Sequence, residues 1–126
     1  AWNEVVVIYR SLAAQLQTSE SQVSLSYALC KVGMVAKAMG NLADATEAFQ
    51  ESLIILRDLA AGWQSPDIIA GLCWSIYQIA DLLVENGDHH QAKELMLEGA
   101  AFAGSLEVDL QEAIRNNFAL IQQKIG

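Results

Sequence analysis

Three groups of residues have side chains whose types and spacing could do chemistry. In the run Asp88, His89, His90 and Glu94, the last two stand four residues apart, which on a helix sets an imidazole beside a carboxylate as two possible metal ligands. No third ligand follows at a fixed distance. Asp88 reads more simply as a helix N-cap and the histidines as a solvated turn, so no metal is expected. The two thiols, Cys30 and Cys73, belong to no CxxC or Cys/His ligand spacing. Either would need a histidine brought from the far end of a helix pair to act as a nucleophile, and neither a nucleophile elbow nor a Gly-rich phosphate loop occurs. Neither enzymatic activity nor a cofactor is expected. The third group is Tyr27, Met34, Lys37, Trp74, Tyr77, Asp81 and Asn116: aromatic and amphipathic side chains suited to recognition.

Composition narrows the partners. The 126 residues carry seven Lys+Arg against fifteen Asp+Glu, a formal charge of -8, with no basic cluster. A phosphate backbone or an anionic membrane would be repelled, so neither nucleic acid nor membrane is expected as a partner. The most apolar stretch, Asp67 to Val84, is interrupted by Gln78 and Asp81 and is expected to fall short of a membrane span. Two thiols in apolar surroundings, without ligand spacing, suggest a reducing, cytoplasmic setting. The chain opens on Ala1 with no basic, apolar leader, and is expected to be a piece of something longer.

Helices must position these side chains. Apolar residues recur at three- and four-residue spacing in six segments, about Trp2 to Gln17, Ser21 to Met39, Leu42 to Ala61, Pro66 to Asn86, His89 to Ala103 and Leu106 to Ile125. Ser19 and Ser21 are candidate N-caps, Gly40-Asn41 and Gly87-Asp88 read as tight stops, and Pro66 after Ser65 suits a first helical turn. An all-α fold of antiparallel hairpins follows.

The hairpins repeat. Ala45, Phe49 and Ser52 follow Gly40 at the offsets at which Ala92, Met96 and Gly99 follow Gly87, and Leu29, Val32 and Gly33 precede the first turn as Ile76, Ile79 and Ala80 precede the second. Phe118 and Ala119 hold the same places before Gly126, while Trp2 and Tyr9 are spaced like Leu42 and Phe49. The organisation is half, whole, whole, half: residues 1–17, 21–61, 66–104 and 106–126, taken together as one domain. Gly33, Ala45, Ala80 and Ala92 are small where helices should cross closely, with Leu29, Val32, Phe49, Ile76, Ile79 and Met96 as the bulk around them.

The strings GNLADATEAFQESL and GDHHQAKELMLEGA, each preceded by an apolar helix with a small residue seven positions back, resemble tetratricopeptide repeats. The spacing of turn glycines, 47 residues from Gly40 to Gly87 and 39 from Gly87 to Gly126, exceeds the family's usual period of about 34. His89 stands where an aromatic is usual and Met96 where Phe or Tyr is usual. The long spacing is similar to that in large bacterial regulators and signalling ATPases of the maltose-activator type. The resemblance implies a right-handed α-α superhelix whose first helices line a concave groove.

In that arrangement the groove face carries Tyr27, Cys30, Met34 and Lys37 on one first helix, Trp74, Tyr77, Asp81 and Val84 on the next, and Asn116, Leu120 and Gln123 on the last. The two-carboxylate clamp of some relatives needs several Lys, Arg and Asn here, and the expected face offers only Lys37 and Asn116, so a carboxylate-terminated chaperone tail is not the expected ligand. The expected function is to bind a protein or peptide in the groove. The alternatives are a structural spacer or self-assembly segment of a larger regulator, and a small-ligand sensor. Apolar repeat ends give a further expectation, homodimerisation through them.

Overall fold

A computed structural model describes residues 2–62, 65–104 and 108–125. They form six helices, α1 (Trp2–Leu16), α2 (Ser19–Ala38), α3 (Leu42–Gly62), α4 (Pro66–Glu85), α5 (His89–Ala103) and α6 (Val108–Ile125), and no strand occurs among the described residues. The chain divides into two compact units, Ala1–Trp63 and Gln64–Gly126.

In the first unit α2 packs against both α1 and α3. Val6 and Ala13 of α1 close on Leu25, Ala28 and Leu29 of α2, with Tyr9, Val32 and Ile55 around them. The small residue Gly33 lies beneath the ring of Phe49, which is fully buried. In the second unit α4 packs on α5 and on α6, and α5 on α6. Ala80, Val84, Ala92, Met96 and Ile121 form the core there, with Tyr77, Leu83 and Phe118 against it. Gly99 accepts the ring of Phe118 as Gly33 accepts Phe49.

The two glycine turns have the same construction. Gly40 (φ 81°) donates to Lys37 O at 3.1 Å and Asn41 to Ala36 O at 2.8 Å; Gly87 (φ 86°) donates to Val84 O at 3.0 Å and Asp88 to Leu83 O at 2.8 Å. Each is a Schellman closure, in which a residue with positive φ returns two amides to the last turn of the helix. The corresponding position at Gly126 lies outside the described residues, as do Leu106 and Glu107 at the expected start of α6.

Two helix starts differ from expectation. Neither Ser19 nor Ser21 caps α2. Thr18 does, accepting from the Ser21 amide at 3.1 Å, while Ser21 Oγ accepts from the Thr18 amide at 3.3 Å. Ser21 is therefore the third helical residue of a capping box. Asp88 occupies the N-cap position of α5, but its side chain makes no capping bond. Ser65 caps α4, accepting from the Ile68 amide at 3.3 Å, with Pro66 in the first turn as expected.

The expectation that Gln78 and Asp81 make the apolar stretch too short to span also needs correction. Pro66–Glu85 is long and apolar enough to cross a membrane by length and composition, because Gln78 and Asp81 still leave an 18-residue stretch of it at a mean hydropathy of 1.4. In this fold 61% of that stretch is buried within the protein, as befits a core helix.

Candidate partner-binding face

On α2, Tyr27 and Met34 stand out into solvent at 58% and 42% exposure, with Lys37 half-buried one turn further on. Lys31 places its Nζ 5.1 Å from the centroid of the Tyr27 ring, a cation-π contact. Cys30, between them in sequence, is half-buried and turned toward α3, its Sγ 3.1 Å from Ser52 Oγ. Ser52 in turn donates to Ser26 O at 3.2 Å, so the thiol is the donor in the first of these bonds. Cys30 thus belongs to the helix contact rather than to the open face, which Tyr27, Lys31 and Met34 make up.

On α4, Trp74 and Tyr77 are half-buried, and Tyr77 leans on the core cluster of its unit. Asp81 and Val84, expected on the open face, are buried. Val84 is a core residue, and Asp81 retains 6% of its surface and pairs with Lys124 of α6. The physical reason is that α6 lies along α4, so the far side of α4 is covered by a helix instead of facing solvent. Asn116, Leu120 and Gln123 of α6 are exposed.

Lys124 is the residue that sequence reasoning missed on this face. A carboxylate inside an apolar run needs a counter-ion if it is to be buried, and Lys124 is four positions from Leu120, on a face already singled out. Its ammonium is held above the ordinary lysine value, chiefly by the hydrogen bond to Asp81, with burial opposing and the charges of Asp81 and Glu85 assisting. The cation is thereby committed to Asp81.

The other chemical groups resolve into structural roles. His90 Nε2 lies 2.9 Å from Glu94 Oε1 in an exposed i,i+4 pair, and no third metal-ligand side chain joins them among the described residues. Cys73 is buried with its Sγ 3.4 Å from the Gly99 carbonyl, to which it donates, and burial pushes its pKa up to about 11. A thiol so held is protonated at neutral pH and is a poor nucleophile. Glu51 of α3 is bound by Arg10 of α1 through two contacts, at 2.5 and 2.8 Å.

Compared with protein-family models, curated proteins and solved structures, the chain finds no match in any of the three.

Proposed function

We propose that this chain is a helical-repeat binding module of the tetratricopeptide kind, holding a protein or peptide segment rather than transforming a substrate. The observation that carries the proposal is the pair of helix hairpins, α2–α3 and α4–α5, closed by the same Schellman bonds 47 residues apart, from Gly40 to Gly87. Two supersecondary units in one register, each with an aromatic-bearing first helix, are what a stacked array requires. In such an array Tyr27, Met34 and Lys37 contribute from α2, Trp74, Tyr77 and Asp81 from α4 and Asn116 from α6. Asp81 acts through its pairing with Lys124, which ties the lysine of α6 to α4. The aromatic rings supply contact area at low entropic cost, and the absence of a Gly-rich or basic phosphate cradle in the sequence favours an amphipathic peptide over a nucleotide.

The test is capture from native lysate with the wild-type chain and with a Tyr27→Ala/Met34→Ala/Trp74→Ala variant shown to be equally helical by circular dichroism. Loss of a specific partner with the variant supports the module. Identical capture by both, or none by either, overturns it in favour of a spacer. A second reading, self-assembly, is favoured by a separate observation: α1 leaves Val7, Ile8, Leu12 and Leu16 exposed.

A further inference from the structure

Within the first unit, α1 and α3 each pack on α2 and not on one another. Between them lies a groove of about 480 Å³ whose floor is α2, from Leu29 through Val32 and Val35 to Met39. Ten residues of helix make that floor about 15 Å long. Val35 is 45% exposed and Met39 71%, so two large apolar side chains, one turn apart, lie open along it. A methionine in such a place re-shapes to fit what lies on it. The floor is not the face that carries Tyr27 and Met34. At about 100° per residue, Val32, Val35 and Met39 stand roughly 120° around α2 from that pair.

The wall formed by α3 is acidic. Asp44, Glu47 and Glu51 follow one another at intervals of three and four, so a single row of carboxylates borders the apolar floor. Glu51 shows what this row binds: Arg10 reaches across from α1, and its guanidinium sits on that carboxylate inside the same groove. Glu47 and Asp44, one and two turns before it, line the groove and meet no cation among the described residues. Asp44 lies in the first turn of α3, where a carboxylate also favours the helix dipole. Glu47 stands beyond that turn, so its charge has no such use.

We propose that this groove binds a basic amphipathic helix of a partner protein, with aliphatic side chains on Val35 and Met39 and two Lys or Arg residues, three or four apart, on Glu47 and Asp44. Cations at that spacing on a helix match carboxylates at the same spacing on α3, and they continue the pairing that Arg10 begins on Glu51. The chain as a whole carries a charge of -8, which draws in a basic segment and repels a second copy. A floor of about 15 Å takes two to three turns of helix. A small polyamine would satisfy the carboxylates and leave Val35 and Met39 uncovered. The site is additional to the Tyr27 and Met34 face and stands or falls separately from it.

Fluorescence anisotropy tests the proposal with a labelled probe peptide of about four helical turns, bearing leucines in one stripe and two lysines three residues apart beside it. The wild-type chain should bind it at physiological salt, and more weakly as salt rises. Asp44→Asn/Glu47→Gln should bind about tenfold more weakly, with Glu47→Gln accounting for more of the loss than Asp44→Asn. Val35→Ser/Met39→Ser should also weaken binding. Glu47→Lys should lose the lysine probe and gain affinity for one with glutamates in place of the lysines. Tyr27→Ala/Met34→Ala should bind as the wild type does, which separates this groove from the face proposed above. The altered positions are exposed, and circular dichroism checks that each variant keeps its helices. No binding by the wild type, undiminished binding by Asp44→Asn/Glu47→Gln, equal affinity for a lysine probe whose leucines are alanines, or loss of binding in Tyr27→Ala/Met34→Ala would each overturn the proposal.

Discussion

A Cβ built on Gly33 would lie 2.6 Å from Cε1 of Phe49, and within 2.8 Å of two further atoms of the same ring. The ring occupies the volume that any side chain at residue 33 would need, so the α2–α3 crossing is set by this pair. Gly33→Ala should therefore destabilise the chain by about 1–3 kcal/mol through overpacking, even though alanine gains up to about 1 kcal/mol in helix propensity. Gly62 provides the control, since nothing lies within 4 Å of its added Cβ; there alanine should be neutral or stabilising. Urea denaturation of both variants, and of Gly33→Ala combined with Phe49→Leu, checks the claim. The double variant should recover part of the loss, because the smaller side chain vacates the contested volume.

Among the described residues, the backbone at three helix junctions adopts positive φ, which yields a second prediction. Gly40 and Gly87 are glycines, whereas Gln17 adopts φ 50° with a full side chain. A left-handed conformation costs a non-glycine residue about 1–2 kcal/mol. Gly87→Ala should lower stability by roughly that amount, Gly87→Asn by less, and Gln17→Gly should raise it by up to about 1 kcal/mol. Thermal melts of the three variants decide it; a Gln17→Gly variant that melts lower than wild type would show that the glutamine side chain has a role that outweighs its strain.

How much of this was legible in the sequence depended on the range of the interaction. The helices and their glycine turns were, since a 3.6-residue period and a residue tolerant of positive φ act within one or two turns. The close crossings at Gly33, Ala45, Ala80 and Ala92 were also legible, because internal repetition marked the small positions twice, and all four are buried. The start of α2 was misplaced because Thr18, Ser19 and Ser21 offer three hydroxyls within four residues and only backbone geometry selects among them. The pairing of Asp81 with Lys124 spans 43 residues and depends on how α6 lies along α4, which no local pattern encodes. Gln17 gave no signal at all, its left-handed backbone being imposed by the α1–α2 junction.

The Asp81–Lys124 pair makes a third prediction. Asp81 is almost wholly buried while the Lys124 side chain keeps about half its exposure, so the pair lies between the surface and buried classes. Lys124→Met should cost more than the ~1 kcal/mol ceiling of an exposed pair and less than the ~3–5 kcal/mol of a fully buried one. Asp81→Asn/Lys124→Met should be milder than Lys124→Met alone, because no charge is then left buried without a partner. The lysine binds its proton more tightly in the fold than in the unfolded chain. Its contribution is complete below about pH 10.5 and is lost as pH rises through the higher folded value. Denaturation midpoints at neutral pH and in strong alkali, compared between wild type and Lys124→Met, should converge as the pH climbs.

Cys73 acts earlier on the same alkaline limb. Its pKa rises from 9.0 to about 11, first because burial penalises the thiolate and second because Glu98 repels it. The folded chain therefore holds this proton where the unfolded chain releases it, so stability is unaffected below about pH 9 and falls between pH 9 and about 11. Cys73→Ser keeps a donor for the Gly99 carbonyl and does not ionise, so it should remove the part of the decline that begins near pH 9 while leaving the later part due to Lys124. The same burial predicts the order of thiol labelling: with a disulfide reagent at mildly alkaline pH, half-buried Cys30 should react in the native state and Cys73 only on unfolding. If Cys73 labels as fast as Cys30 in the folded chain, the α4–α5 crossing opens readily in solution, and the packing of Cys73 against Gly99 does not describe its dominant state.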